Sequence, residues 1–179
     1  YTPARVNTEA GWMDVVFFLH GNGAASHWAA NAAVGDTVGF IGPARSMPAL
    51  QTVPDWAIFL GDETTIGLAA ACIEALPPGV PVSGAIELAA EDAGSLSAFS
   101  LDLEPAARTA AHGEALLAWL SENELPEGEG VVWLSGEAGS VLALREALLD
   151  RGVARSALKV KPYWSTRGHA HRKALQRQL

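Results

Sequence analysis

The sequence predicts an α/β protein: a strand-rich first third, followed by a parallel sheet with helices on its faces. Three observations carry this. From Asp55 onward, short apolar runs rich in β-branched and aromatic residues alternate with longer helical stretches, the order that parallel strands joined by crossover helices require. Glycine-bearing turns separate them, as in Gly61-Asp62-Glu63-Thr64 and Gly136-Glu137-Ala138-Gly139. The 179 residues, 49% hydrophobic and only 18% charged, suffice for one ordinary domain or two small ones and exclude a disordered chain.

Each element has its own justification. Trp12 to Leu19 is apolar and β-favouring and runs into His20-Gly21-Asn22-Gly23, a strand ending in a glycine-rich turn. The alanine-dense stretch from Ala24 to Ala33 opens a helix directly after that turn, and Val34-Gly35-Asp36 closes it. Thr37 to Ile41 reads as a further strand, and the proline-containing stretch through Pro43, Pro48 and Pro54 as a linker. Trp56 to Leu60 is a buried strand, and Thr65 to Leu76 an apolar helix stopped by Pro77-Pro78-Gly79. Val80 to Leu88 is the next strand, and Leu96 to Leu103 a short strand or a loop. Ala110 to Asn123 is helical, Gly130 to Leu134 a strand, Ser140 to Arg151 a helix, and Lys159 to Trp164 the last strand. In such a sheet, ligands bind at the carboxyl ends of the strands.

Composition bounds the function. A lone cysteine, Cys72, excludes an intramolecular disulfide framework and, on the apolar stripe with Leu68, Ile73 and Leu76, reads as core. No metal-ligand spacing is present, and a reducing, cytoplasmic compartment is the simplest setting. No apolar stretch reaches the ~20 residues needed to span a bilayer. With Tyr1 first and no basic segment ahead of an apolar stretch, no signal peptide is visible, and the chain reads as beginning within a longer protein. The first 150 residues hold four basic and all 20 acidic residues, whereas Arg151 to Leu179 holds eight basic residues and no acid. The acidic body argues against nucleic-acid binding; the basic tail binds a small anion or pairs with the body.

Four segments carry chemistry. Gly23-x-x-Ser26 opens a helix after a strand, where orphan N–H groups and the helix dipole favour a phosphate; the plainer alternative is a serine near a helix start. Leu19 to Gly23 also fits the oxyanion segment of an α/β-hydrolase, but no G-x-S-x-G elbow follows, which argues against that chemistry. Gly61 to Gly67 and Gly136 to Gly139 are strand-to-helix turns at one sheet edge, which suits a ligand cleft. Asp62 and Glu63 would repel a phosphate there unless they face away, contact sugar hydroxyls or serve as helix caps. His27 and His112 read as helix-surface or half-buried histidines, and Trp28, Trp56, Trp119 and Trp133 as core.

Taken in order over some 165 positions, Tyr1-Thr2, His20-Gly21, Gly23 to Ala29, Gly35-Asp36, Gly42-Pro43, Gly61 to Thr64, Gly136 to Gly139 and Tyr163-Trp164 before Arg167-Gly168 resemble the siderophore-interacting proteins. These are ferric-siderophore reductases of the ferredoxin-reductase-like superfamily. The resemblance implies a partial antiparallel β-barrel, the remnant of a flavin domain, over residues 1–52. An NAD(P)-binding α/β domain with a basic C-terminal tail follows over residues 53–179. Tyr1 and Thr2 match the end of the family's Arg-x-Tyr-Thr flavin motif, whose Arg would precede this chain.

The same resemblance assigns Gly23, Ala24, Ala25 and Ser26 to the FAD pyrophosphate, with His20 and Trp28 lining that site. Gly61, Asp62, Glu63, Thr64 and Thr65, with Gly136, Glu137, Ala138 and Gly139, would flank NAD(P)H. Tyr163 and Trp164 would lie near the flavin face. Lys159, Lys161 and Arg167 would face the anionic nucleotide or an anionic ferric siderophore. The implied activity passes electrons from NAD(P)H through FAD to Fe(III), without a protein nucleophile, and Fe(II) is then held more weakly by the siderophore's hard oxygen ligands. Two other readings stay open: a non-catalytic nucleotide-binding fragment, and a flavin reductase serving a protein partner. Exposed strand edges in an incomplete barrel would permit a homodimer.

Overall fold

The computed structural model describes residues 1–21, 23–42, 47 and 50–168. Much of the Pro43–Pro48 linker and the basic residues Arg172, Lys173 and Arg177 therefore lie outside the described residues. Strands β1 (Pro3–Asn7) and β2 (Trp12–Val15) form a two-stranded antiparallel sheet, followed by helix α1 (Ala24–Asn31). The rest is a five-stranded, wholly parallel sheet in the order β5-β4-β3-β6-β7. Its strands are β3 (Trp56–Asp62), β4 (Val82–Leu88), β5 (Glu104–Ala107), β6 (Gly130–Glu137) and β7 (Leu158–Trp164). Helices α2 (Ile66–Glu74), α3 (Glu114–Glu122) and α4 (Ala138–Asp150) complete it.

The chain winds outward from β3 through β4 to β5, then returns to place β6 on the other side of β3. The switch point of this doubly wound sheet therefore lies between β3 and β6, and its crevice opens at their carboxyl ends. Strand alternation divides the core in two. Trp56, Ile58 and Leu60 with Val132 and Leu134 face Leu116, Trp119 and Leu120 of α3 and Val141, Leu144 and Leu148 of α4. Ala57, Phe59, Val131 and Trp133 face Ile66, Leu68, Ala69 and Cys72 of α2, with Leu96 and Leu103 from the connection to β5. Both faces of the sheet are covered, which is why its strands read as continuous apolar runs.

Several expectations are corrected. Thr37 to Ile41 forms no strand: Val38, Phe40 and Ile41 are exposed and have no ladder to join, and β propensity without a neighbouring strand does not make one. The strand expected to reach Leu19 stops at Val15, and Val16 to Phe18 continue half-buried without pairing. Leu96 to Leu103 is neither strand nor plain loop, because a 3-10 segment runs over Ala90–Phe99. β5 went unanticipated: it is short, and Pro105 is tolerated because β5 is an edge strand. Trp28 is not core but 36% exposed, whereas Trp56, Trp119, Trp133 and Cys72 are buried as expected. Among the described residues, the exposed large hydrophobic side chains all fall within residues 1–53.

The N-terminal segment docks through α2. A side chain at Gly67 would place its Cβ 2.9 Å from the Thr2 carbonyl oxygen, so glycine there permits the close approach of the chain entering β1. Helix propensity alone would favour Gly67→Ala by about 1 kcal/mol. We expect the substitution instead to destabilise the fold by about 1 kcal/mol or more, read as a lower urea midpoint, because the Thr2 backbone must move. A stabilised G67A protein would contradict this packing.

Candidate functional site

The carboxyl edge of the parallel sheet is where this sequence concentrates buried charge. β3 ends at Asp62, whose carboxylate is 3% exposed and accepts four hydrogen bonds. Thr64 donates its N–H at 3.0 Å and its hydroxyl at 2.5 Å; the Glu137 N–H and the Trp164 indole N–H each donate at 2.8 Å. Burial pushes the Asp62 carboxyl above its ordinary range, aided by the charge of Glu63, while the bonds from Thr64 and Trp164 pull the other way.

Glu87, in β4, is 1% exposed and accepts from the Gly113 N–H at 2.9 Å and the Ala115 N–H at 3.3 Å, closing the start of α3. Glu137, at the end of β6, accepts from the N–H groups of Gly139 at 2.5 Å and Ser140 at 3.0 Å, closing the start of α4. Its second oxygen takes the Thr166 N–H at 3.1 Å. Burial alone would raise the Glu137 carboxyl, but the N–H groups of Ser140, Thr166 and Gly139 hold it below its ordinary range. Gly136 precedes it at φ +115°, and any side chain there would strike the Asp62 carboxylate.

Arg108 balances part of this charge. It follows β5, donates to the Glu63 carboxylate, and brings its Nε to 3.7 Å from Glu87. His112 stands 3.9 Å from the same Glu87 oxygen and packs edge-on against Trp164 at 5.0 Å between ring centroids. Within the helical turn before α2, Thr65 donates to the Asp62 carbonyl at 2.7 Å.

A cleft of about 670 Å³ opens here, lined by Tyr1, Phe18, His20, Glu63, Thr64, Arg108, His112, Tyr163 and Trp164. Tyr163 and Thr2 share a hydrogen bond between their hydroxyls, tying the N-terminal segment to the end of β7. Tyr1 stacks at a tilt on Phe17 at 4.4 Å, and Phe17 meets Trp28 edge-on at 5.7 Å. Burial raises the Tyr163 hydroxyl and lowers the Lys161 ammonium, whose nitrogen lies 5.9 Å from the Tyr163 ring centre. The Cys72 thiol is pushed up to about 12 by burial, which leaves it a core side chain without thiolate character at neutral pH.

The structure therefore brings together Tyr1, Thr2, His20, Glu63, Thr64, Tyr163 and Trp164 from the residues singled out by sequence. Gly61, Asp62, Thr65, Gly136, Glu137 and Ala138 lie buried beneath the same edge, while Gly139 is exposed. The N–H groups of Thr64, Gly139 and Ser140 bond to Asp62 or Glu137, so these two carboxylates serve as caps to the helical turns that follow them. Lys159 is not at this edge: second in β7, it bonds the Ser156 carbonyl at 2.8 Å and lines a separate cleft at the amino ends of the strands. Arg167 is exposed just past β7. Gly23, Ala24, Ala25, Ser26 and Trp28 form the start and first turns of α1; Gly23 takes φ +96°, no side chain among the described residues caps that helix, and Ser26 is buried. Arg108, Glu87 and Phe18 were missed. The available signal for Arg108 was its isolation as one of four basic residues in an acidic body. His112 is half-buried as read, but in the loop before α3, where it lines the cleft. Among the described residues, no group of three His, Cys, Asp or Glu could hold a metal ion, and no helix is long and apolar enough to cross a membrane.

Comparison with known proteins places two family models along the chain. "Siderophore-interacting FAD-binding domain" matches residues 1–47, and "Siderophore-interacting protein" matches residues 54–167. Ferric vibriobactin reductase ViuB of Vibrio cholerae is 28% identical over 174 residues, covering 92% of this chain and 63% of its own length. An uncharacterized protein of Mycobacterium tuberculosis is 33% identical over 180 residues, covering 91% and 63%. The chain thus spans about 63% of the length of these curated relatives. A crystal structure of a siderophore utilization protein from T. fusca superposes with a TM-score of 0.71 at 30% identity, covering 93% of this chain and 65% of that one. A FAD/NAD-binding domain of a nitric oxide dioxygenase from Vibrio cholerae shares the fold at 17% identity and a TM-score of 0.52, over 80% of this chain and 66% of that one.

Two outcomes follow from the charge network. Arg108→Met leaves Glu63 and Glu87 buried without their guanidinium, and we expect a loss of about 3 kcal/mol in urea unfolding, the low end for a broken buried pair because Arg108 keeps some solvent contact. Adding Glu63→Gln should restore part of it. Glu137 is held below its ordinary 4.5, so its contribution is present above that value and is lost as the pH falls through the lower folded value. Glu137→Gln should flatten the acid limb of the stability curve below pH 4.5, read by chemical denaturation across pH. An unchanged limb would deny the cap its role.

Proposed function

Because the chain belongs to the siderophore-interacting protein family, we propose that it is the larger part of an FAD-dependent ferric-siderophore reductase that releases iron by reducing Fe(III) to Fe(II). The observation that carries this reading is the shared cleft: Tyr1 and His20 from the segment matched to the FAD-binding model face Tyr163 and Trp164 from the end of the parallel sheet. The similarity to a ferric vibriobactin reductase supports a ferric siderophore as substrate.

The residues present fit a flavin. Gly23 and the first turn of α1 leave N–H groups that no side chain among the described residues has claimed, and these would meet the FAD pyrophosphate. Tyr1, backed by Phe17 and Trp28, offers an aromatic surface on which a flat ring system can pack, and Thr2 is held in place through Tyr163. When bound, FAD would supply the conversion between a two-electron donor and a one-electron acceptor. This chain's side chains bind, orient and shield. Trp164 is fixed by its bond to Asp62, so the wall of the cleft it forms stays in place.

Lys161, in the middle of β7, and Arg167, just past its carboxyl end, carry charge of the sign an anionic ferric siderophore would meet; Lys159, near the strand's start, does not join them. NAD(P)H is the donor suggested by the family resemblance, although the strand-end turns are not assigned to its phosphates. The reading divides the chain near residue 53 into a flavin-side segment and a donor-side domain.

Visible absorption of the purified chain after addition of FAD and removal of unbound flavin tests the proposal. Retained flavin that bleaches with anaerobic NADPH and is reoxidised by a ferric siderophore is the expected result. Ser26→Ala should weaken FAD binding about tenfold, or about 1.4 kcal/mol. Flavin affinity unchanged by that substitution would remove the Ser26 hydroxyl from the site, and failure to retain flavin at all would count against the reductase reading for this chain.

A further inference from the structure

In an open parallel sheet, the helix starts that follow the strands ordinarily meet ligand phosphates, because their orphan N–H groups and dipoles attract anions. Here five of those donors already have partners, those at the 3-10 turn before α2 and at the starts of α3 and α4. Thr64 N–H bonds to Asp62, Gly113 and Ala115 N–H to Glu87, and Gly139 and Ser140 N–H to Glu137. All three carboxylates come from the chain itself, and all are buried. Glu63 adds a fourth buried carboxylate at the same edge, paired with the guanidinium of Arg108.

We propose that the capped helix starts at this edge exclude a dinucleotide pyrophosphate: the donor places only its uncharged parts against them, and its pyrophosphate lies outside the strand-end position. The inference rests on the reading of the donor as NAD(P)H and says where its phosphates do not go. To occupy the usual place, a pyrophosphate would have to break two charge-assisted hydrogen bonds at α4 and then sit beside the displaced Glu137 carboxylate and the Asp62 carboxylate behind it. Arg108 does not reverse this, since both carboxylates it faces already draw on its charge. The cleft wall between these caps is aromatic, formed by Tyr163, Trp164 and His112, and suits a neutral ring.

Amide chemical shifts of the whole chain, titrated with ADP-ribose and separately with inorganic pyrophosphate at constant ionic strength, provide the test. We expect no saturating shift at Thr64, Gly113, Ala115, Gly139 or Ser140 up to about 5 mM of either probe, a range in which even millimolar affinity would register. Glu137→Gly frees the Gly139 and Ser140 donors and should create a saturable site at those two amides, at least about tenfold tighter than in the parent chain. Saturating shifts at these amides in the parent chain would overturn the proposal, as would a folded E137G protein that binds no more tightly. If E137G does not fold, the parent titration decides alone. No flavin takes part, so loss of the reductase reading and loss of this inference give separate results.

Discussion

A parallel sheet collects the carboxyl ends of all its strands at one edge, and there the helices that follow present N–H groups with no intrahelical partner. This chain meets that constraint with its own carboxylates. Asp62, Glu87 and Glu137, from the ends of three adjacent strands, each supply the missing acceptor to a helical turn. Burying a carboxylate is costly unless hydrogen bonds and countercharge compensate it, and here each carboxylate receives several N–H donors. The remaining features of the edge follow from that choice. Gly136 cannot carry a side chain because Asp62 occupies the space, Trp164 is aimed by its bond to Asp62, and Arg108 sits where Glu63 and Glu87 both face it.

The sheet was legible because its signals are local and redundant. β3 and β6 are apolar runs between clear turns, and α4 follows a glycine-bearing turn directly. The elements that escaped lack such redundancy. β5 has four residues, one of them proline, and exists because β4 offers an open edge to pair with. Thr37 to Ile41 has the composition of a strand and no neighbour to make it one.

The site was legible in position but not in electrostatics. The glycine turns do lie at one edge, yet a sequence alone does not tell whether Asp62 turns toward a ligand or back onto its own helix start, since both suit an aspartate after a strand. Geometry decides it: the Asp62 side chain reaches the Thr64 N–H two residues on and the Glu137 N–H across the switch point. The Glu63–Arg108 pair joins residues 45 positions apart, a distance over which neither periodicity nor propensity carries information. The link between Thr2 and Tyr163 spans 161 positions and sets the cleft in which the two halves of the chain meet.

The helix starts divide into two kinds, and the division is electrostatic. At the carboxyl edge of the parallel sheet, the turns after β3 and β6 donate to their own strand-end carboxylates, and the start of α3, after β5, is closed by Glu87 of β4. At α1, Gly23 replaces a capping side chain, no acid stands in the first turn, and no described side chain satisfies the donors. A phosphate approaching the molecule therefore meets buried carboxylates at one position and open N–H groups at the other. The same chain can then present an anion site for the proposed flavin while keeping the neighbouring cleft, with its aromatic walls, for uncharged rings. Discrimination between two ligands that both carry pyrophosphate would arise from which helix starts are capped rather than from any base or sugar contact.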